Sequence, residues 1–225
     1  MVNYEEAIKR PFSDINKLLI GWLLSIIPII NLFATGYILE SAKLTLQKKK
    51  NLPEWTNWGD LFIKGIMVLV ISIIWAIPII IIAFALMGTA IFAMMKSGVT
   101  KAMAPEQIIM NMIGTGAVPS LVTGVFILVI LAVLLMYLLP LAFVHYIKQG
   151  DFSAAFDFKT IFNKAFTGKY FVAWIVAILI CLVLSIIAGI IGRAPYLIYI
   201  TNPGASFIGY VITLTLVAQA YQEIK

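Results

Sequence analysis

Between Ile66 and Met95 the chain runs for thirty residues without a charged side chain. As an α-helix, at about 1.5 Å per residue, such a run is about 45 Å long and exceeds the roughly 30 Å hydrocarbon thickness of a bilayer. It is either one tilted helix kinked at Pro78 or two short halves packed at an angle. No charge or turn cluster interrupts it, so one helix is expected. Apolar segments at 18–39, 119–144, 171–191 and 205–219 give about five in all. Hydrophobic residues make up 62% of the chain and charged ones 12%, against about a half and a quarter in soluble domains. The fold class is therefore all-α: a polytopic transmembrane helical bundle forming a single integral membrane domain over 1–225.

The polar stretches between these segments carry their own pattern. Tyr4, Ile8, Phe12 and Ile15 recur at helical steps, so 3–16 reads as a surface helix that Pro11 breaks and Ser13 restarts. Lys48-Lys49-Lys50-Asn51-Leu52-Pro53-Glu54-Trp55 forms the longest polar interruption, and 54–64 reads as an interfacial helix with Trp55, Trp58 and Phe62 on one face. Asp60 and Lys64 are placed to pair, as are Glu40 and Lys43. Pro105-Glu106-Gln107 opens a short helix over 105–113. Residues 152–166 form another amphipathic helix, with Ala155, Phe158, Phe162 and Phe166 expected on its apolar face. Such helices lie in the headgroup plane. In the apolar segments, Ser185 with Gly189 and Ala205 with Gly209 are small pairs suited to close helix packing.

Lysine placement orients the chain, because cytoplasmic loops carry the excess of Lys and Arg. Five crossings put loops 41–65 and 147–170 and the C-terminus inside, with ten basic residues there and six outside. If 18–39 instead turns back at Pro28–Asn31 as a re-entrant hairpin, the division becomes thirteen against three. The charge count favours the hairpin. The rarity of re-entrant segments favours crossing, as does an apparent repeat in which each half has a proline-bearing helix, a surface segment and a long helix. Crossing is the expectation; both arrangements place 41–65 and 147–170 on the cytoplasmic side of the cell membrane. The first apolar helix itself is expected to direct insertion, since the N-terminal residues lack a cleavable signal layout.

Chemistry is sparse. The carboxylates lie in surface segments or at helix ends, Cys181 sits alone in an apolar run, and His145 is the only histidine. No phosphate loop, His/Glu metal motif or nucleophile elbow is present. No catalytic residue, cofactor or metal ligand is expected, and the protein is read as no enzyme. The net charge of +6 resides in loops between membrane segments, which points to anionic lipid and not to nucleic acid. Lys48, Lys49, Lys50, Trp55, Trp58, Lys64, Lys159, Lys164 and Lys169 are the candidates for contact with lipid headgroups, a protein partner or a second copy. Asn31 is the candidate polar group within the membrane. The alternative is a carrier with a cavity lined by proline-kinked helices, for an uncharged or lipid substrate, since ionisable groups are missing from the segment centres.

The elements Phe12-Ser-Asp-Ile-Asn-Lys-Leu-Leu-Ile-Gly, Pro28-Ile-Ile-Asn, Gly36-Tyr37, Leu52-Pro53-Glu54-Trp55 and the closing Ala220-Tyr221 resemble the domain of unknown function 4013 family of prokaryotic, largely archaeal, membrane proteins. The second half also resembles the membrane domains fused to glycerophosphodiester phosphodiesterases. The first resemblance implies a polytopic membrane protein and carries no activity or functional residue with it.

Overall fold

A computed structural model describes residues 2–96, 105–114, 116–194 and 196–224, which are helical apart from short connections, with no strand among them. The N-terminal helix α1 (Tyr4–Lys9) is capped by Asn3, whose side chain accepts from the Glu6 amide at 3.0 Å. Pro11 then turns the chain through a 3-10 turn at Arg10–Ser13. The Asp14 carboxylate accepts from the amides of Asn16 and Lys17, each at 3.1 Å, and so starts α2 (Ile15–Ile26). The expected surface helix over 3–16 is thus a helix and a turn. Asp14 supplies the cap expected of Ser13, whose hydroxyl donates to the Arg10 carbonyl instead.

Segment 18–39 turns back on itself. Ile27 is extended (φ −101°, ψ 120°), the conformation a following proline favours, and Pro28 has no amide to continue the ladder. After Pro28–Ile30 the helix α3 (Asn31–Leu46) runs the other way. Contacts with the last helix, α9 (Ile198–Glu223), fix the antiparallel course. The Trp22 indole donates to the Ile200 carbonyl at 2.7 Å, near the start of α9. The Asn3 amide donates to Gln219, near its end. Gln222, also near its end, reaches the last carbonyls of α3. At twelve residues α2 is about 18 Å long, little more than half a hydrocarbon core. The expected crossing is replaced by the hairpin that the thirteen-to-three charge division favours.

Residues 54–64 do not form the expected interfacial helix. Residues 51–57 are not helical, and Asn57 (φ 52°) turns the chain and offers its carbonyl to the amides of Asp60 and Leu61. Helix α4 then runs unbroken from Trp58 to Lys96 through Pro78, the single long helix expected for 66–95 with its interfacial start absorbed. Trp55 therefore lies outside the helix, yet its ring stacks on that of Trp58 at 5.6 Å, while Phe62 packs on Phe33. The short helix α5 (Pro105–Gly114) matches its expected position, while residues 97–104 of the connecting loop lie outside the described ones. Helix α6 (Ala117–Gln149) passes through Pro140 and His145. Pro28 ends a helix and Pro140 does not, so the two halves of the apparent repeat differ in architecture.

In place of one helix over 152–166 there is a 3-10 turn (Phe152–Phe156) and helix α7 (Phe158–Ala165). Asp157 breaks them apart because its carboxylate caps α7 through the Thr160 amide at 3.1 Å. The buried face is Ala155, Ile161 and Ala165, and Phe158 and Phe166 are exposed, which corrects the expected phenylalanine row. Helix α8 (Gly168–Ile191) follows from a Thr167 cap. Helix α9 starts well before residue 205 and carries Pro203 near its beginning.

Two compact units divide the chain, Met1–Ser72 with Tyr137–Lys225, and Ile73–Met136. In the first, α9 is the core helix: 72% of its most apolar stretch is buried, and it packs on α1, α2, α3 and α8. The start of α4 meets α3 backbone to backbone, since a Cβ on Gly36 would fall on the Leu61 carbonyl and one on Gly65 on the Leu32 carbonyl. In the second unit, Gly124 accommodates Leu86, and an apolar cleft of about 410 Å³ is lined by Ala83, Leu86, Met87, Ile91, Leu121, Val125 and Leu128. Among the described residues four helices are long and apolar enough to cross a membrane: Trp58–Thr89, Leu121–Gln149, Gly168–Ile191 and Ile198–Glu223. This is a multi-pass membrane protein.

Candidate functional site

The hairpin brings three stretches distant in sequence to one end of the first unit: the N-terminus, residues 40–57 and the end of α9. Its base is closed by the Leu-Pro-Glu-Trp element. The Trp55 ring stacks on Tyr37 at 3.9 Å with an interplanar angle of 8°, and its indole donates to the Lys17 carbonyl at 3.1 Å. The Tyr37 hydroxyl donates to the Pro53 carbonyl at 3.0 Å. Lys17 bridges to Glu54 at 2.6 Å and donates to the Leu52 carbonyl at 3.4 Å. Trp55 is thereby an inward-facing clamp. Trp58 is 44% exposed and meets Phe33 edge to face at 5.6 Å.

Beneath the clamp lies Arg10, only 3% exposed. Its Nη2 donates to the carbonyls of Ser41 and Asn51, each at 3.2 Å, while its Nε and Nη1 and the Ser41 hydroxyl have no hydrogen-bond partner among the described residues. Burial pulls the guanidinium below its usual range, and the charge of Glu6 works in the opposite direction. The sequence gives no sign of this burial, because Arg10 reads there as one more charge on a surface helix.

Above it, α3 ends in a Schellman motif. The Lys48 amide donates to the Thr45 carbonyl and the Lys49 amide to the Leu44 carbonyl, both at 2.9 Å, with Lys48 left-handed at φ 61°. Gln222 covers the carbonyls of Thr45 and Leu46. A cleft of about 280 Å³ results, lined by Asn3, Glu6, Thr45, Lys48, Lys49, Lys50, Gln219, Gln222 and Glu223.

The other candidates are distributed differently. Lys64 bridges Glu40 and Asp60, both at 2.5 Å, so the pairing with Asp60 forms as expected and Glu40 pairs with Lys64 instead of Lys43. Lys164 donates to the Ile224 carbonyl at 2.6 Å, and with Lys148 it stands over the Tyr221 ring, 4.7 and 4.8 Å from the centroid. Burial holds the Lys164 ammonium below its usual range, and the Lys148 charge adds to this. Tyr221 also bonds His145 Nδ1 at 2.6 Å, and the other ring nitrogen of His145 lies 3.7 Å from Asp157. The hydrogen bonds from Thr160 and the proximity of His145 hold the Asp157 carboxyl below the usual range. Lys169 pairs with Glu223 at 3.4 Å. The side chains of Lys48, Lys49, Lys50 and Lys159 make no hydrogen bond or ion pair with the described residues.

Asn31 sits at the start of α3, at the hairpin turn, where its carbonyl accepts from the Thr35 hydroxyl. Ser185 and Gly189 face outward on α8, and a Cβ on Gly189 would meet nothing within 4 Å. Gly209 is buried where α9 meets Cys181 of α8, and Ala205, one turn earlier, is half-buried. Neither cleft is lined by a proline, and Asn31 lines neither.

Comparison with curated proteins finds no match, and comparison with solved structures finds none either. A family model described as Protein of unknown function (DUF4013) matches residues 19–192, from the body of α2 to the end of α8. With more than half of its length covered by that model, the chain belongs to the family of membrane proteins described as DUF4013.

Proposed function

We propose that this protein is a non-enzymatic membrane module whose cytoplasmic, lysine-bearing end binds anionic lipid in the cell membrane. The observation that carries the proposal is the hairpin. It returns the chain before α4, so that four crossing helices leave the N-terminus, residues 41–65, residues 147–170 and the C-terminus on one side, with thirteen of the sixteen Lys and Arg. That excess is the cytoplasmic signature, and each basic residue near an anionic surface contributes about 1 kcal/mol of attraction. Exposed Phe12, Ile15, Phe158 and Phe166 at the same end supply apolar side chains for the headgroup boundary.

The test is lipid selectivity. The protein is reconstituted in phosphatidylcholine bilayers containing a minor fraction of brominated phosphatidylglycerol or brominated phosphatidylcholine, and tryptophan quenching gives their relative association. Preferential quenching by the anionic lipid, falling as salt is raised, is the expected result. Equal quenching by both lipids at low salt would rule the function out.

A further inference from the structure

We propose that the cleft walled by the N-terminus, the end of α3 and the end of α9 is a discrete binding site for a phosphate ester that also carries hydroxyl or ammonium groups, as lipid headgroups do; this rests on the preference for anionic lipid proposed above. Three observations converge on it. Lys48, Lys49 and Lys50 are consecutive, line the cleft together and are unpaired by the described residues. Among the other described lysines, Lys9, Lys17, Lys64 and Lys169 each hold a carboxylate, Lys148 and Lys164 stand over the Tyr221 ring, and Lys43 and Lys159 are single and not clustered. Only at 48–50 do three such ammoniums gather on one cleft, where a ligand from outside can meet them together.

The backbone points the same way. The left-handed position that closes a Schellman motif is ordinarily glycine, because a Cβ there crowds the carbonyl. This chain places Lys48 there at φ 61°. Asn57 and Tyr196 share the left-handed region, but Lys48 alone of the three lines the cleft. The amides that shape the walls are already engaged, Gln222 with the end of α3 and Gln219 with the Asn3 amide, so they fix the cleft and leave the cations to the ligand.

The remaining lining groups define the rest of the ligand. Glu6 and Glu223 also face the cleft, and Glu223 is paired with Lys169. A bare anion would be repelled by these carboxylates. A phosphate flanked by hydroxyl or ammonium donors satisfies both signs, its phosphate oxygens on the lysines and its donors on the Glu6 carboxylate. The volume, about 280 Å³, is near the lower limit for small-molecule sites, roughly 300 Å³, and suits a headgroup more than a large metabolite.

Lys48→Gly makes the test sharp, because it removes the charge while giving the turn the residue it favours. Native mass spectrometry of the full chain in mild detergent would count bound phosphatidylglycerol or phosphatidylserine, with phosphatidylcholine as reference. Soluble glycerol 3-phosphate would be titrated separately. We expect one tightly held lipid per chain, bound at least tenfold more weakly by Lys48→Gly and by Lys49→Gln with Lys50→Gln, and within twofold of wild type by Arg193→Gln, which lies outside the lysine-bearing end. Lys48→Gly should melt no lower than wild type. Binding of the lipid marks a headgroup site, and equally tight binding of glycerol 3-phosphate alone marks a site for a free phosphate ester. Either supports the site, provided that Lys48→Gly abolishes it. Unchanged binding by the cleft variants, or an equal loss in Arg193→Gln, would overturn it. Anionic preference that persists in the bilayer assay while the cleft variants bind normally would refute the site alone and leave the general proposal standing.

Discussion

Removing the Trp55 ring should open the base of the hairpin, and the cost can be worked from its contacts. The ring stacks on Tyr37 at 3.9 Å, an arrangement worth about 0.5–1.5 kcal/mol beyond area burial. Its indole bond to the Lys17 carbonyl contributes about another 1 kcal/mol. A large aromatic truncated to alanine in a full core costs about 3–5 kcal/mol, so a half-buried Trp55 should cost about 2–4. Trp55→Phe keeps the stack, loses the bond and should cost about 1 kcal/mol. The assay is equilibrium unfolding in mild detergent followed by circular dichroism, where no bilayer interface exists. A tryptophan serving as an interfacial anchor loses little there when it is removed. A change below about 0.5 kcal/mol for Trp55→Ala, or equal losses for Phe and Ala, would refute the clamp; surface substitutions without such contacts stay within about that margin.

Two further changes probe the same unit. Gly65→Leu places a side chain onto the Leu32 carbonyl, and backbone cannot yield as a side-chain tip can. A loss of at least the roughly 1–3 kcal/mol of ordinary overpacking is expected, whereas Gly59→Ala, with nothing within 4 Å of the added Cβ, should cost little; comparable melting temperatures for the two would contradict the close approach of α3 and α4. Asp157, depressed first by its Thr160 hydrogen bonds and then by His145, contributes stability that is complete above its ordinary value of 3.8 and lost as pH falls below it. Asp157→Asn should therefore flatten the acid limb of the stability–pH curve, and an unchanged limb would count against the cap.

The membrane class was legible because uncharged runs of helix length have no other home, and α4, α6 and α8 follow their expected segments closely. The hairpin was only half legible. Pro28 marks a break in the sequence, but Pro78, Pro140 and Pro203 are the same residue inside continuous helices. What separates them is the packing of α2 and α3 on α9, which no local pattern encodes. The role of Trp55 was misread for a related reason: tryptophan near a lysine run has the composition of an interface, and only the return of α3 brings Tyr37 beneath it. Arg10 was invisible as a buried group, since burial there comes from Ser41 and Asn51, some thirty to forty residues away. Helix ends were the other gap. Asp14 and Asp157 compete for amides locally, and each moved or split a helix that periodicity alone would continue.

The central claim is that residues before α2 and after α3 lie on the same side of the membrane. Cys181→Ala protein carrying a single cysteine at Glu5, Lys49 or Arg193 would be treated in intact cells with a membrane-impermeant maleimide, before and after lysis. The hairpin predicts that Glu5→Cys and Lys49→Cys are both labelled only after lysis, and that Arg193→Cys is labelled in intact cells. Labelling of Glu5→Cys from outside with Lys49→Cys protected would show that 18–39 crosses, and would dismantle both the basic end and the cleft built upon it.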